Sequence, residues 1–421
     1  MARAKNSRNA AGSGSIRQRS NGSWEARVTI GTDPGTGKPI RKSFYGKTQK
    51  EVREKMQRAA VDVTDGAYFE PSSLTLGAWL DIWITDYQGD KKYATTRTYR
   101  GNIDTHIKPA LGAVKLAQLA PHQIQRFYNG LLNNGSRAPK RDRNGEIVKK
   151  DGHTVFEAVP MSPKTVRNIH GTLIKALNVA VDIGYLKDNP AERVTLPRVQ
   201  KTEIKPLTDE QVTLFLKSVQ ADSFAAILQT IIFTGLRESE AIGLTWDCID
   251  LKAGVIKVSK QLQKRPIKDG GTVFAPVKNG KPRTITVAPF VIQLLEQQRT
   301  AQIKQRLKAG EAWEGWQNEK DHKKALVFTN DVGKPLTPTT LRNHFKAVVT
   351  QIGAPECRVH DLRHTFAVLS LQNGDDIKTV QENLGHATAA FTLDVYGHVS
   401  EKMKQDSAAR MQGYIQRIAK L

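Results

Sequence analysis

Apolar and polar residues alternate in three short runs near the start of the chain, which is the pattern of β-strands with one buried face. The runs are 15–19, 24–30 and 40–45. Asn21-Gly22 separates the first two runs and is a hairpin turn signal. A helical pattern follows from about Thr48, with Val52 and Met56 on its inner side. We therefore predict a three-stranded antiparallel sheet backed by one helix.

The next hundred residues show the helical period instead, beginning with a tryptophan-rich face at Leu76. Further helices are predicted over 95–107, 121–132 and 163–185. Pro109 and Gly112 are expected to break the 95–107 helix within 106–112. Residues 136–160 depart from the helical pattern and contain two turn signals, so we predict an inserted hairpin or loop there.

The second half of the chain mixes helical and strand-like patterns. Thr208 and Gln211 form a capping box that opens a helix, and a mostly apolar helix over 223–233 ends at Gly235. Strand-like runs follow at 255–259, 272–276 and 283–287. Later helices are predicted over 339–352, from His360 to Asn373-Gly374, from Asp375 or Asp376 to Gly385, over a short stretch before Tyr396, and over 401–421.

These patterns predict a multidomain protein with a small three-stranded β-sheet plus helix, an all-α domain, and a mixed, mainly α domain with a small β-sheet. A chain of 421 residues is long enough for two or three domains. The predicted parts are a disordered basic tail at 1–13, the sheet-plus-helix domain at 14–70, the all-α domain at 74–195 with its insertion at 136–160, a linker at 196–206, the mixed domain at 207–400 and a C-terminal helix at 401–421.

The charge balance indicates a polyanionic partner. The chain has 64 basic and 41 acidic residues, a formal net charge of +23, and nucleic acid is the simplest partner for such a surface. An acidic membrane surface is the rival partner, but we find no basic amphipathic helix with a strong apolar face to bind it. No apolar run approaches the length of a membrane span, and the basic N-terminus lacks a signal-peptide core. Cys248 and Cys357 are far apart in the sequence, so we expect no disulfide scaffold and a reducing cytoplasm.

The stretch 360–398 concentrates residues that suit phosphate chemistry. His360 and Arg363 lie three positions apart and share a helical face, and His386 and Tyr396 follow them. Arg237 lies upstream, just after the turn that ends the apolar helix. An arginine fork binds two phosphate oxygens at once, and a tyrosine hydroxyl becomes a nucleophile when it is helped to lose its proton. We interpret Tyr396 as a nucleophile toward a DNA phosphodiester.

The order and spacing of these residues resemble the tyrosine recombinases. The similarity is strongest to the integrases of conjugative transposons and temperate phages of Gram-positive bacteria, and it spans nearly the whole chain from about residue 14. A single histidine or arginine of this kind is often an ordinary core or surface group, but the ordered set is specific. The matching segments are Thr234-Gly235-Leu236-Arg237-Glu238-Ser239-Glu240, His360-Asp361-Leu362-Arg363-His364-Thr365-Phe366, Leu384-Gly385-His386, and Tyr396 ten residues later.

The resemblance implies a strand-cutting reaction through a 3′-phosphotyrosyl link to Tyr396. His360 would be the base or proton shuttle. Arg237 and Arg363 would hold the charge that builds on the non-bridging oxygens, and His386 would donate a further hydrogen bond there. A 5′-hydroxyl of a second strand would then attack the link, so the bond energy is conserved.

The family's catalytic lysine lies on a β-hairpin, five residues before a basic residue that opens the next strand. Lys278 with Arg283 fits this pattern, and Lys281 is its local competitor. Glu240 would orient the site without reacting. No carboxylate cluster offers a two-metal site, so we expect neither a metal, nor another cofactor, nor ATP.

The resemblance also makes 14–70 an arm-type DNA-binding domain, 74–195 a core-binding domain and 207–400 the catalytic domain. We expect double-stranded DNA attachment sites, with arm and core sequences, as partners of a homotetramer in the bacterial cytoplasm at the nucleoid, and no membrane partner. An excisionase and a host DNA-bending protein are further candidate partners. The candidate DNA-binding residues are Arg17, Arg19, Arg27 and Arg41 in the sheet, and Lys91, Lys92, Arg97, Arg100, Lys164 and Arg167 in the helices.

Two alternatives share part of this pattern. A type IB-like topoisomerase uses the same chemistry without exchanging partners, but the arm domain and the tail helix both favour assembly. A DNA-binding regulator with the same fold would have lost catalysis, yet all six catalytic positions are present. The C-terminal helix has an apolar stripe that suits either a neighbouring subunit or its own domain.

Overall fold

The computed structural model describes residues 14–32, 39–64, 74–200, 205–220, 222–267, 271–385 and 401–419. These residues belong to two compact units that divide after Lys201. We describe each unit by itself. No helix in these ranges is long and apolar enough to cross a membrane.

The first unit begins with an antiparallel sheet in the order β1-β2-β3, packed against one helix. Ala26 and Val28 of the central strand are buried with Val52 and Met56 of that helix. Alternate strand residues therefore form this small core, and the residues between them form an open face on the other side of the sheet. The elements are β1 (Ser15–Gln18), β2 (Trp24–Thr32), β3 (Pro39–Gly46) and α1 (Gln49–Thr64).

The rest of the first unit is helical and packs around large buried side chains such as Trp79, Trp83 and Tyr128. The Trp79 indole N–H donates to the carbonyl of Ala176 at 2.9 Å, which ties the first of these helices to the last. The helices are α2 (Leu76–Asp86), α3 (Tyr93–Asn102), α4 (Lys108–Leu111), α5 (Pro121–Asn134) and α6 (Pro163–Asp182).

The predicted helix break within 106–112 is wrong, because the chain stays helical through most of that stretch. A π-helical turn at Ile103–Ile107 joins α3 directly to α4. Pro109 lies in the first turn of α4, where its missing N–H disturbs little. Ile103 and Ile107 are 1% and 0% exposed, so burial of the π turn outweighs the local breaking signal.

Residues 136–160 form a two-part β extension between α5 and α6. At its base, β4 (Ser136–Pro139) pairs with β7 (Phe156–Val159). At its tip, β5 (Lys149–Lys150) pairs with β6 (His153–Thr154). Asp151 and Gly152 have φ values of +50° and +78°, the left-handed geometry that a two-residue hairpin turn requires.

The second unit is mainly helical. Its core joins apolar residues of several helices and a small sheet, including Ile231, Leu295, Phe345 and Ile256. The helices are α7 (Asp209–Val219), α8 (Ala225–Thr234), α9 (Glu238–Ile242), α10 (Pro289–Ala309), α11 (Glu319–His322), α12 (Pro338–Gln351), α13 (Val359–Gln372), α14 (Ile377–Leu384) and α15 (Glu401–Ala419).

The strands of this unit are β8 (Ile249–Asp250), β9 (Val255–Val258), β10 (Lys260–Lys264), β11 (Thr272–Pro276) and β12 (Arg283–Thr286). We predicted that the strands on either side of Lys278 form a hairpin with each other, and this prediction is wrong. In the described sheets β11 pairs with β10, and β12 pairs with β9. Only Ser259 separates β9 from β10, so both strands that flank Lys278 pair with one nearly continuous stretch. The predicted fold class is confirmed.

Candidate active site

Arg237 follows a sharp turn that ends α8. Gly235 in this turn has a left-handed φ of +64°. A Cβ at this position would lie 2.6 Å from the Phe366 ring and 2.8 Å from Leu384 Cδ2. Glycine therefore allows the turn to pack directly on α13 and α14. The side chain of Arg237, 17% exposed, is brought to the end of α14 by this close approach.

Arg363 connects the turn and the two helices. It lies on α13 and is 2% exposed. Its Nη1 group donates to the carbonyl of Gly235 at 2.6 Å, and its Nη2 group donates to the carbonyl of Leu384. The two arginines predicted from separate segments, Arg237 and Arg363, thus meet at the same place.

Side chains hold the backbone at the end of α14. The last carbonyls of a helix have no partners within it and carry the negative end of the helix dipole, which favours cations. Three arginines and one asparagine donate to three successive carbonyls here, so they fix the backbone immediately before residue 386. The contacts are Arg283 Nε to Asn383 O at 2.7 Å, Arg363 Nη2 to Leu384 O, and both Arg237 Nη2 at 3.3 Å and Asn279 Nδ2 at 3.0 Å to Gly385 O.

Glu240 is a buried carboxylate shared by Arg237 and Arg283. It is 1% exposed. Its Oε1 accepts from Arg237 Nη1 at 2.8 Å and from Arg283 Nη1 at 3.1 Å, and its Oε2 accepts from Arg283 Nη2 at 2.7 Å. Burial alone would raise the pKa of Glu240, but the hydrogen bonds and charges of the two arginines outweigh burial and lower it to about 2. An ionised carboxylate that orients both guanidinium groups supports the predicted orienting role.

His360 lies at the start of α13 beside the arginines. The residue is exposed at the surface, and its ring meets the ring of the buried His364 edge-on, with the centroids 5.0 Å apart. The pKa of His360 is lowered from 6.5, first by partial burial and then by the positive charges of Arg363 and Arg237. His360 is therefore mostly neutral at pH 7 and able to accept a proton.

Lys278 is exposed in the turn between β11 and β12. Its neighbour Asn279 donates to the carbonyl of Gly385, which places the start of this turn at the arginine cluster. Lys281, the competitor, is also exposed, on the far side of Gly280. The contact made by Asn279 favours Lys278 as the lysine nearer the site.

His386 and Tyr396 lie outside the described residues. The structure does describe Gly385, the residue immediately before their segment. Gly385 has a left-handed φ of +61°, and a Cβ there would lie 3.0 Å from Arg283 Cδ. Gly385, the last described residue before this segment, therefore lies next to Arg283 and Arg237.

The four candidate arginines of the sheet share its open face. The strand register places Arg17 beside Glu25, Arg27 beside Ser43, and Arg41 beside Thr29, all of them alternating with the core positions. The guanidinium group of Arg19 lies over the ring of Tyr45, 5.3 Å from its centroid. A sheet face of this kind fits the major groove of duplex DNA.

The six helical candidates are all exposed. Lys91 pairs with Asp90 at 2.9 Å, and Arg167 Nε donates to the carbonyl of Pro197 at 2.8 Å. Asn102 Nδ2 donates to Thr172 Oγ1 at 2.8 Å, so α3, which carries Arg97 and Arg100, lies beside α6. The remaining candidates are Lys92 on the segment before α3 and Lys164 on α6.

Sequence reasoning missed Arg283 and Asn279 as site residues. Arg283 entered only as a marker for Lys278, yet it binds Glu240 with two nitrogens and is 9% exposed. A charged residue that opens a strand leading into the core was a signal that this side chain needs a buried partner. In the described ranges, no group of three or more His, Cys, Asp or Glu residues is arranged to hold a metal ion.

Comparison with known families agrees with this geometry. The phage integrase family model matches residues 198–403, and the model of the phage integrase N-terminal SAM-like domain matches residues 75–132. The chain belongs to the phage integrase family. The resemblance to tyrosine recombinases is thereby confirmed, and with it the assignment as an enzyme of DNA strand exchange.

Individual relatives extend the match along the chain of this tyrosine recombinase. A "Tyrosine recombinase XerC-like" protein of Caldanaerobacter subterraneus subsp. tengcongensis is 29% identical over 399 residues, which cover 91% of this chain and 94% of the relative. The Tn1549 transposon integrase, solved with a circular intermediate DNA, matches 80% of this chain and 100% of its own at a TM-score of 0.61 and 19% identity. A lambda integrase tetramer bound to a Holliday junction matches 94% and 99% at a TM-score of 0.50 and 17% identity.

Proposed function

We propose that this tyrosine recombinase integrates and excises a mobile element by cutting and rejoining DNA at attachment sites, with Tyr396 as the nucleophile. The observation that carries the proposal is the meeting of Arg237, Arg363 and the end of α14. Two fixed positive charges stand where the segment toward His386 and Tyr396 begins. A phosphodiester bound there faces both a charge clamp and a nucleophile supplied from that segment.

The reaction has two transesterification steps. In the first, the Tyr396 hydroxyl attacks the scissile phosphorus, a 3′-phosphotyrosyl bond forms, and the bond from phosphorus to the 5′-oxygen breaks. In the second, the 5′-hydroxyl of another strand attacks the link and releases the tyrosine. Each step replaces one phosphodiester by another, so no ATP is consumed and no water attacks.

Each polar group has one task in this scheme. His360, with its lowered pKa, takes the proton from Tyr396, and Lys278 gives a proton to the departing 5′-oxygen. Arg237 and Arg363 stabilise the charge on the non-bridging oxygens, where loss of one such contact typically costs about 3 kcal/mol. His386 donates a further hydrogen bond to the same oxygens. The reaction as drawn proceeds without a metal ion.

DNA binding is divided between two parts of the first unit. The open face of the first sheet binds arm sites, and the exposed basic residues of α3, α6 and the segment before α3 contact the phosphates of core sites. The net charge of +23 supports a strongly salt-dependent affinity. By analogy with the lambda integrase tetramer on a Holliday junction, the working assembly is a homotetramer on two paired sites. An excisionase and a host DNA-bending protein are further candidate partners at the bacterial nucleoid.

A suicide DNA substrate tests the proposal. The attachment site is first identified from the ends of the resident element, and a duplex nicked near the cleavage point is then incubated with the protein in EDTA. The wild type is expected to form a covalent complex on a denaturing gel, and Tyr396→Phe is expected to bind the DNA without forming one. Tyr185→Phe, which removes a hydroxyl from a 38% exposed tyrosine of the helical domain, is the matched control.

The outcomes separate the alternatives. A complex that persists in Tyr396→Phe places the nucleophile elsewhere. A complex that requires Mg²⁺ contradicts the metal-free scheme. Tight binding with no complex in any variant indicates either a DNA-binding regulator or a missing partner. Relaxation of supercoils without strand exchange identifies a topoisomerase.

A further inference from the structure

The open face of the first sheet holds a carboxylate among its arginines. Glu25 lies beside Arg17 on one neighbouring strand and beside Tyr45 on the other. It is 1% exposed, although it is on the side opposite the core. The side chains of Arg17, Arg27 and Tyr45 all contact it. An acidic group buried within a surface that otherwise attracts phosphate requires a reason.

Both oxygens of Glu25 are engaged. Arg17 donates to Oε2 from Nε at 2.8 Å and from Nη2 at 2.7 Å. Arg27 donates to Oε1 from Nε at 2.8 Å, and the same Nε lies 3.2 Å from Ser43 Oγ. The side chains of Arg17 and Arg27 stay 63% and 48% exposed, whereas that of Glu25 is 2% exposed. Glu25 therefore holds both guanidinium groups by their inner edges and leaves outer edges at the surface.

Glu25 is ionised at neutral pH. The hydrogen bond from Arg17 is the largest influence, and together with those from Arg27 and Ser43 it lowers the pKa of Glu25 to about 2. A negative charge on this face weakens attraction to any DNA backbone, since phosphate binding follows net positive charge. A residue that reduces non-specific attraction to DNA while holding two arginines in place increases the difference in affinity between the recognised sequence and other sequences.

We propose that Glu25 is a positioning residue for sequence recognition, which sets Arg17 and Arg27 to read guanine edges in the major groove of an arm site. Arginine recognises guanine by donating to O6 and N7 together. Such recognition needs a defined plane of the guanidinium group, and a group already held in place loses less freedom on binding. The inference rests on the proposed function, which makes this sheet face the arm-type DNA-binding surface.

Selection from a random duplex library, with the full-length chain, tests both the role of Glu25 and the role of this sheet face as a DNA-binding surface. Tyr396→Phe is present in every sample to prevent covalent capture. The arm motif is defined as the one that disappears when Arg17 and Arg27 are both changed to alanine. Affinities are then measured for that motif, for the motif with 7-deazaguanine in place of guanine, and for random duplex. Melting temperatures report whether each variant is folded.

Glu25→Gln keeps the size of the side chain and removes its charge. We expect the preference for the motif over random duplex to fall by about tenfold, in line with the loss of one good arginine–guanine contact. The affinity for random duplex is expected to stay equal or rise. The penalty for 7-deazaguanine is expected to shrink in the variant. Glu51→Gln, which removes the same charge from an exposed carboxylate paired with Lys55, should leave the preference unchanged.

Two results overturn the role of Glu25. One is an unchanged preference in Glu25→Gln. The other is an equal loss of affinity for the motif and for random duplex, which shows that the carboxylate only supports the sheet. A different result contradicts the proposed function itself. If every selected motif is still selected after Arg17 and Arg27 are changed to alanine, this face does not recognise DNA sequence.

Discussion

Glu240→Gln removes one negative charge from between Arg237 and Arg283 while keeping the shape of the side chain. The pKa of Glu240 is lowered from 4.5 to about 2. At about 1.4 kcal/mol for each pKa unit, the ionised carboxylate stabilises the folded unit by about 3 kcal/mol relative to its neutral form. Loss of one partner from a buried ion pair costs a similar amount, about 3–5 kcal/mol. We therefore expect the variant to lose about 3 kcal/mol of unfolding free energy at pH 7.

The pH dependence has a defined sign. Because the folded-state pKa is below the unfolded value, the stabilisation is complete above about pH 4.5 and is lost as the pH falls toward 2. The free-energy difference between the wild type and Glu240→Gln should shrink from about 3 kcal/mol at pH 7 to about 1 kcal/mol at pH 3. At pH 3 most of the wild-type advantage has gone, because the unfolded chain gains a proton that the folded chain resists.

Urea titrations followed by a brief hydrogen-exchange pulse and mass spectrometry measure this difference in the right unit. Peptides from α8 and α13 report the second unit separately from the first. Glu238→Gln is the matched control on the same helix. Glu238 pairs with Arg342 at 2.8 Å, and the Arg342 side chain is 62% exposed, so the control should cost less than about 1 kcal/mol. Equal losses in both variants, or a difference that stays constant between pH 7 and pH 3, would refute the reasoning.

Three further predictions concern the same unit. The midpoint of the loss of cleavage rate on a suicide substrate should lie below pH 6.5, since the pKa of His360 is lowered from 6.5; a midpoint above pH 6.5, or a decline that persists in His360→Asn, contradicts this. Lys278→Ala should slow cleavage by about 100-fold, and a substrate with a 5′-bridging phosphorothioate should restore the rate because a thiolate leaves without a proton. Lys281→Ala should change the rate little. A slow Lys281→Ala variant that this substrate rescues would instead assign the acid to Lys281. Gly235→Ala should lower stability by at least about 1 kcal/mol more than Gly353→Ala in thermal or urea unfolding, because both glycines have positive φ but only the first is closely packed; equal losses would show that φ alone decides.

Local signals predicted much of the fold and the site. The helix end at Gly235 and the capping box at Thr208 depend on neighbours within four residues, and the structure shows both. The spacing of His360 and Arg363 placed them on one helix in the same way. Resemblance added what spacing cannot provide, namely that Arg237 belongs with Arg363, which lies 126 positions further along the chain.

What the sequence did not show depends on contacts between distant segments. Pro109 looks like a helix breaker, but burial of Ile103 and Ile107 keeps the chain helical through a π turn. Arg283 is 43 residues from Glu240 and 100 residues from Asn383, the two groups that it binds. No local pattern specifies either contact. The burial of Glu25 was likewise hidden, because alternation places it on the open face and the surrounding side chains of Arg17, Arg27 and Tyr45 exclude water from it.

The contacts at the end of α14 also affect how such sites change over evolutionary time. Each arginine there recognises a backbone carbonyl, which every amino acid supplies. A comparison of related genes should therefore record only one half of each contact: we expect the arginine to be constrained and Asn383, which gives only its carbonyl in the described contacts, to vary. Methods that infer proximity from paired substitutions have no second signal to detect at this position. A mutational scan should show the same asymmetry, with Arg283 intolerant to change and Asn383 tolerant.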